Sequence, residues 1–215
     1  MAYKRRVSHR RRIRRKHYRF GSRKNISLAG IIFAVFLLFA VGFMIYKFIS
    51  VKEQTPVQKQ RQEFITNVAP AAMRSGKAYG VLPSVTIAQA ALESDWGNSQ
   101  LSIQYHNLFG VKSDDPNNSG VMQTKEFSNG QWINVSSRFK IYPNASASIQ
   151  DHDHLLSAGT TWNPQQYQHV LNSNNYVDAA KALQEDGYAT DPTYAKKIID
   201  IVQKYDLTKY DQNMK

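Results

Sequence analysis

Between Lys24 and Lys47 the chain runs for 22 residues, Asn25 through Tyr46, without a charged side chain. No other feature limits the architecture as much. As an α-helix rising about 1.5 Å per residue, the run would reach roughly 33 Å, against about 30 Å for the hydrocarbon core of a bilayer. Phe33, Phe36, Leu37, Leu38 and Phe39 leave no polar stripe that would let the helix lie in an interface. A buried core helix can also be apolar all round, but the length and the charged flanks favour a span. Residues 25–46 are expected to be a single transmembrane helix.

The flanks orient it. Residues 1–24 carry 12 Lys and Arg and no acid, including Arg10-Arg11-Arg12 and Arg14-Arg15-Lys16. Short flanks rich in Lys and Arg stay cytoplasmic, so the arm is expected inside and everything after Lys47 outside, on the cell-wall side. Ala40-Val41-Gly42 also forms a small-x-small cleavage pattern, and cleavage near Gly42 would release a secreted form. Apolar residues continuing through Phe43, Met44, Ile45 and Tyr46 favour a retained signal anchor. The arm accounts for the whole formal charge of +12, because the other 191 residues balance at 16 of each sign. Its expected partner is anionic lipid head groups, at about 1 kcal/mol per basic residue near the surface. Tyr3, His17, Tyr18 and Phe20 interleave aromatics with the bases, but 24 such residues build no folded reader. Nucleic acid is not expected as a partner.

The chain has no cysteine, which excludes a disulfide scaffold, a zinc ribbon and a Cys nucleophile together. Residues 47–61 are polar with one proline and read as a stalk, and 208–215 as a tail. From Phe64 the spacing of Ile65, Val68, Ala71, Ala72 and Ala78 is helical, with Pro70 as a bend and Gly80 as the end. Pro83 suits the first turn of a second helix that should stop near Trp96-Gly97. The Asp114–Gly120 turn cluster and Asn129-Gly130 bracket strand-like residues, giving a small antiparallel sheet over 120–142. Helices return over roughly 145–157, 164–172, 175–185 and 191–204. The class is α+β, mainly helical, with a small β insert.

Serine hydrolysis finds no Gly-x-Ser-x-Gly turn. Asp151-His152-Asp153-His154 alternates ligand types, but neighbours on a helix point about 100° apart and do not converge on one ion. His106 reads as a packed or hydrogen-bonded structural residue. No metal or organic cofactor is expected. Carboxylates remain. Glu93 follows an apolar helix face and precedes Ser94-Asp95-Trp96-Gly97; beside Trp and Leu a carboxyl loses solvation and becomes a proton donor near neutrality.

Three segments occur in a telling order: Ala88-Gln89-Ala90-Ala91-Leu92-Glu93-Ser94-Asp95-Trp96-Gly97, Asn107-Leu108-Phe109-Gly110-Val111-Lys112, and Gly187-Tyr188-Ala189-Thr190-Asp191-Pro192-Thr193-Tyr194-Ala195. Together they resemble glycoside hydrolase family 73, the peptidoglycan-hydrolysing endo-β-N-acetylglucosaminidases of Gram-positive autolysins and flagellar muramidase-type domains. The resemblance covers residues 62–207. It implies a lysozyme-like fold, with a helical lobe, a small β lobe and a groove for a peptidoglycan glycan strand. It also implies Glu93 as general acid, Tyr188 near the reacting sugar and Glu126 as the β-lobe carboxylate, with Asp114 and Asp115 as alternatives. Trp96, Asn107, Phe109, Trp132 and Tyr194 are candidate sugar contacts. Cleavage after N-acetylglucosamine is the expected activity; a muramidase or lytic transglycosylase, and a binding module without turnover, are the alternatives.

Overall fold

The computed structural model describes residues 36–44, 54–128 and 131–212, the side chains of 124–130 and 132–134 excepted. The chain divides into two units, Met1–Glu53 and Gln54–Lys215. In the first, residues 36–44 are helical and exposed along their length. The basic arm and most of the expected span lie outside the described residues. Among those described, no helix is long and apolar enough to cross a membrane.

The second unit opens with α1, Pro56–Tyr79. Its start lies inside the segment read as a stalk. The reason is local: Thr55 accepts from the Gln58 amide, Gln58 returns a side-chain bond to Thr55, and Pro56 occupies the first turn. Pro70 sits within the helix without ending it, and Gly80, at φ 80°, closes it as expected. Close packing follows at Gly76, where an added Cβ would meet the Val81 carbonyl oxygen at 2.5 Å.

Helix α2, Pro83–Glu93, runs through the centre, and every residue from Pro83 to Ala91 is buried. A short α3 (Gln100–Tyr105) follows it; α1, α4 (Ala145–Ala158), α6 (Tyr176–Glu185), α7 (Tyr194–Lys204) and a 3₁₀ turn at Leu207–Tyr210 pack against it, and α5 (Gln168–Leu171) packs on α4 and α6. Ile65, Ile87, Ile149, Leu156, Leu183 and Ile198 form the heart of one core. Each such side chain contributes about 1.5–3 kcal/mol by leaving water. Helix α3 had no periodic signal in the sequence; it is one turn and a half, started by the Ser99 side chain, which accepts from Ser102 N.

The sheet is a single antiparallel hairpin, β1 (Ser119–Ser128) with β2 (Gln131–Lys140), Ser128 facing Gln131 at its tip. A bridge from Lys112 to Phe139 fastens its base to the loop after α3. Helical lobe and hairpin together reproduce the expected mainly helical α+β arrangement.

Candidate active site

Glu93 is the last residue of α2, and the chain turns away from it in an unusual manner. The helix was expected to continue to Trp96-Gly97; instead Ser94 caps it, and Asp95, Trp96 and Gly97 all adopt positive φ, at 49°, 59° and 80°. Ser94 makes this turn, its Oγ donating to the Ala90 carbonyl at 2.6 Å and accepting from Gly97 N at 2.7 Å. Left-handed backbone costs roughly 1–2 kcal/mol at a non-glycine residue, so the two hydrogen bonds hold Asp95 and Trp96 in a conformation they would otherwise leave.

The Glu93 side chain meets α7. Tyr194 donates its hydroxyl to Glu93 Oε1 at 2.8 Å and accepts from Gln89 Nε2 at 3.1 Å. Tyr188, in the loop before α7, lies with its ring 5.7 Å from that of Tyr194. Its other neighbours are Tyr167 at 6.1 Å and His152 at 5.7 Å. Phe109 stacks on His152 with centroids 3.9 Å apart. Thus α2 and the Tyr188–Tyr194 segment meet at one carboxyl, and Phe109 of the loop after α3 joins the cluster through His152 and Tyr188.

By area Glu93 is an exposed residue, yet its carboxyl end lies among protein atoms, and the surroundings of the titrating group decide its proton affinity. Burial raises the Glu93 carboxyl above its ordinary range; the Tyr194 hydrogen bond, His152 and Lys197 pull it part of the way back. Burial and the nearby Glu93 charge push the Tyr188 hydroxyl well above the usual tyrosine value, so it stays a neutral donor. Tyr194 is raised in the same way, by burial first and then by Tyr188 and Glu93. A carboxyl that holds its proton beside neutral phenols is suited to donate that proton to a leaving oxygen.

The other candidates divide. Tyr194 is 4% exposed and is spent on Glu93. Phe109 is buried and forms the floor under His152. Asn107 belongs elsewhere: it is 1% exposed, and its amide bonds the carbonyls of Val111 and Lys140 and the Val111 amide. It ties the loop to the end of β2 and leaves nothing for a sugar. Trp96 is also directed to packing. It lies between Phe64 and Tyr205, with the Arg61 guanidinium 4.8 Å from its ring centroid. Glu126 pairs with Ile133 and Trp132 with Phe127 toward the hairpin tip; their side chains are outside the described set. Asp115 supports the turn before β1 by accepting from Asn117 N, and Asp114 is exposed in the same loop.

Gln89, His152 and Asp153 were not singled out for the site from sequence. The signal for Gln89 is a lone amide in Ala88-Gln89-Ala90-Ala91, four residues before Glu93. His106, expected to be a packed or hydrogen-bonded structural residue, is exposed and caps α3 at φ 50°, its backbone N–H donating to the Leu101 and Ser102 carbonyls. The Asp151–His154 run diverges as helical geometry requires. His152 and Asp153 turn inward, whereas Asp151 and His154 line a separate cleft of about 390 Å³ with Tyr79, Lys140 and Tyr142. That cleft does not include Glu93. Among the described residues no group of three or more His, Asp or Glu is placed to hold a metal ion.

Residues 69–207 match the family model described as mannosyl-glycoprotein endo-beta-N-acetylglucosaminidase. The chain is 42% identical over 187 residues to the exo-glucosaminidase LytG of Bacillus subtilis, covering 87% of this chain and 66% of that protein. It is 39% identical over 153 residues to a protein of Lactococcus lactis named "Probable N-acetylmuramidase", covering 70% of this chain and 35% of that one. Among solved structures, the catalytic domain of the autolysin Auto from Listeria monocytogenes aligns with TM-score 0.69 and 36% identity, over 79% of this chain and 97% of that domain.

Proposed function

The chain belongs to the mannosyl-glycoprotein endo-β-N-acetylglucosaminidase family, and from that premise we propose that it is a cell-wall hydrolase cutting peptidoglycan after N-acetylglucosamine, with Glu93 as the acid. One observation carries the assignment: a carboxyl at the end of a buried helix, desolvated, and bonded at 2.8 Å by a phenol from the family's third motif. As the glycosidic bond lengthens, positive charge grows on the anomeric carbon and negative charge on the departing oxygen. Protonation of that oxygen by Glu93 relieves the second. Such general-acid assistance supplies about 10²–10⁴-fold.

Opposite the leaving group we favour attack by the substrate's own 2-acetamido group, polarised by Tyr188, because Tyr188 stands in the same cluster as Glu93. Water activated by Glu126 is the other route and needs carboxyls about 6.5–9.5 Å apart. The substrate is a glycan strand of the wall. Residues 25–46 anchor the enzyme in the cell membrane, and the basic arm lies on the anionic inner surface.

Mass spectrometry of digested wall tests the reading. N-acetylglucosamine at the new reducing ends is expected. Muramic ends would favour a muramidase, the activity carried in the name of the Lactococcus lactis relative. A zymogram in which wild type and Glu93→Gln are equally clear of lysis would leave only a binding module.

A further inference from the structure

The two most deeply buried ionisable side chains of the site have no task in the mechanism above. His152 is 1% exposed and Asp153 0%. Burying polar side chains costs free energy that apolar side chains of the same volume would not, so this pair calls for a reason beyond packing. Its orientation is closely specified. Thr86 Oγ1 donates to Asp153 Oδ1 at 2.8 Å, and His152 Nδ1 lies 2.9 Å from the same oxygen. The imidazole is stacked on Phe109 with 15° between planes, and Tyr188 meets it edge-on at 74°.

From there the wall is continuous to the acid: Tyr188 lies against Tyr194, and Tyr194 bonds Glu93. The connection also runs along α2. Thr86, Gln89 and Glu93 form a polar stripe at helical spacing on a helix whose other buried residues are mostly apolar. Thr86 binds the pair, Gln89 binds Tyr194, and Glu93 is the acid.

We propose that the buried His152–Asp153 pair is a positioning unit of the acid site, its imidazole fixing the Tyr188 ring that lies against Tyr194, the donor to Glu93. The inference rests on Glu93 being the acid. The titratable groups that face Glu93 are Tyr194 and Lys197 of α7, His152 of α4, and Tyr188, around which Asp153 and Tyr167 are also gathered. Lys197 is already paired with Asp191 at 2.6 Å. A pair that only joined α4 to α2 would contribute to stability and leave the turnover of a folded variant unchanged.

The test compares the steady-state kinetics of wild type, His152→Gln, Tyr188→Phe and the double variant, each checked for folding by its thermal melt. His152→Gln removes the stacked ring and is expected to lower kcat by about tenfold or more, the scale of a misplaced group, with KM little changed. It should cost little further in the double variant, because both changes act through Tyr188. A folded His152→Gln at wild-type kcat, or losses that add in the double variant, overturns the proposal. Near-normal turnover in Glu93→Gln would instead remove the acid assignment beneath it, so the two failures are distinguishable.

Discussion

Tyr194 donates its phenolic hydrogen to Glu93 Oε1 at 2.8 Å, although the two residues are 101 positions apart in the chain. Such a bond stabilises the ionised carboxyl, opposing the burial that disfavours it. The acid is thus held between two tendencies, and each can be removed separately.

Tyr194→Phe should shift the alkaline limb of kcat/KM to higher pH, because the carboxylate loses its donor. It should also destabilise the fold by about 1–3 kcal/mol, since Gln89 Nε2 loses the acceptor that the hydroxyl provides. The loss of turnover should be smaller than the 10²-fold or more expected of Glu93→Gln. An unmoved limb in a folded Tyr194→Phe would show that the bond does not act on the acid.

Glu93→Gln should melt at a higher temperature than wild type at neutral pH. The folded chain raises the Glu93 carboxyl, so the group supports folding below its unfolded value of about 4.3 and loses that support as pH rises through the folded value. Glutamine carries no such penalty. The difference between the two melting curves should therefore close as pH falls toward about 4. A glutamine variant that is less stable at neutral pH would contradict the direction of the shift.

How much of this arrangement the sequence reveals depends on where the signal lies. The helix at Pro83, the hairpin around Asn129-Gly130 and the stop at Gly80 are written in local chemistry, and each is legible in a short window. The start of α1 was also local, in Thr55-x-x-Gln58, but the polar composition around it concealed the cap. The packing partners of Asn107 and Trp96 were not legible, because a motif records that a residue type is wanted and not the direction in which it points. One amide holds a loop, and one indole fills a gap beside Arg61. The Tyr194–Glu93 bond and the His152 stack join segments far apart in the chain, and no window contains both partners.

Ser94→Ala should loosen the turn that follows the acid. It removes the side-chain bonds to the Ala90 carbonyl and the Gly97 amide, with Ser94 itself fully buried. A cost of about 1–3 kcal/mol is expected, read by chemical denaturation. Wild-type stability would mean that the left-handed residues hold their conformation without it.

Gly76→Ala should be destabilising by about 1–3 kcal/mol through overpacking. The new methyl carbon would meet the Val81 carbonyl oxygen and the Pro83 ring, and backbone cannot step aside as a flexible side chain can. A thermal melt within error of wild type would refute this.

For topology, protease added to wall-stripped cells should remove the part of the chain after Lys47 and spare the basic arm. Protein beginning at Phe43 in the medium would instead establish cleavage and secretion.

The burial of α2 from Pro83 to Ala91 fixes the backbone on which Glu93 is mounted. Amide hydrogens in such a helix exchange with solvent only when most of the domain opens, so they report the global unfolding free energy. Glu93 is carried at the end of that buried element. Under the proposed function, a glycan strand therefore meets a carboxyl whose backbone is held by the core, and any adjustment to the strand falls to the segments packed around α2.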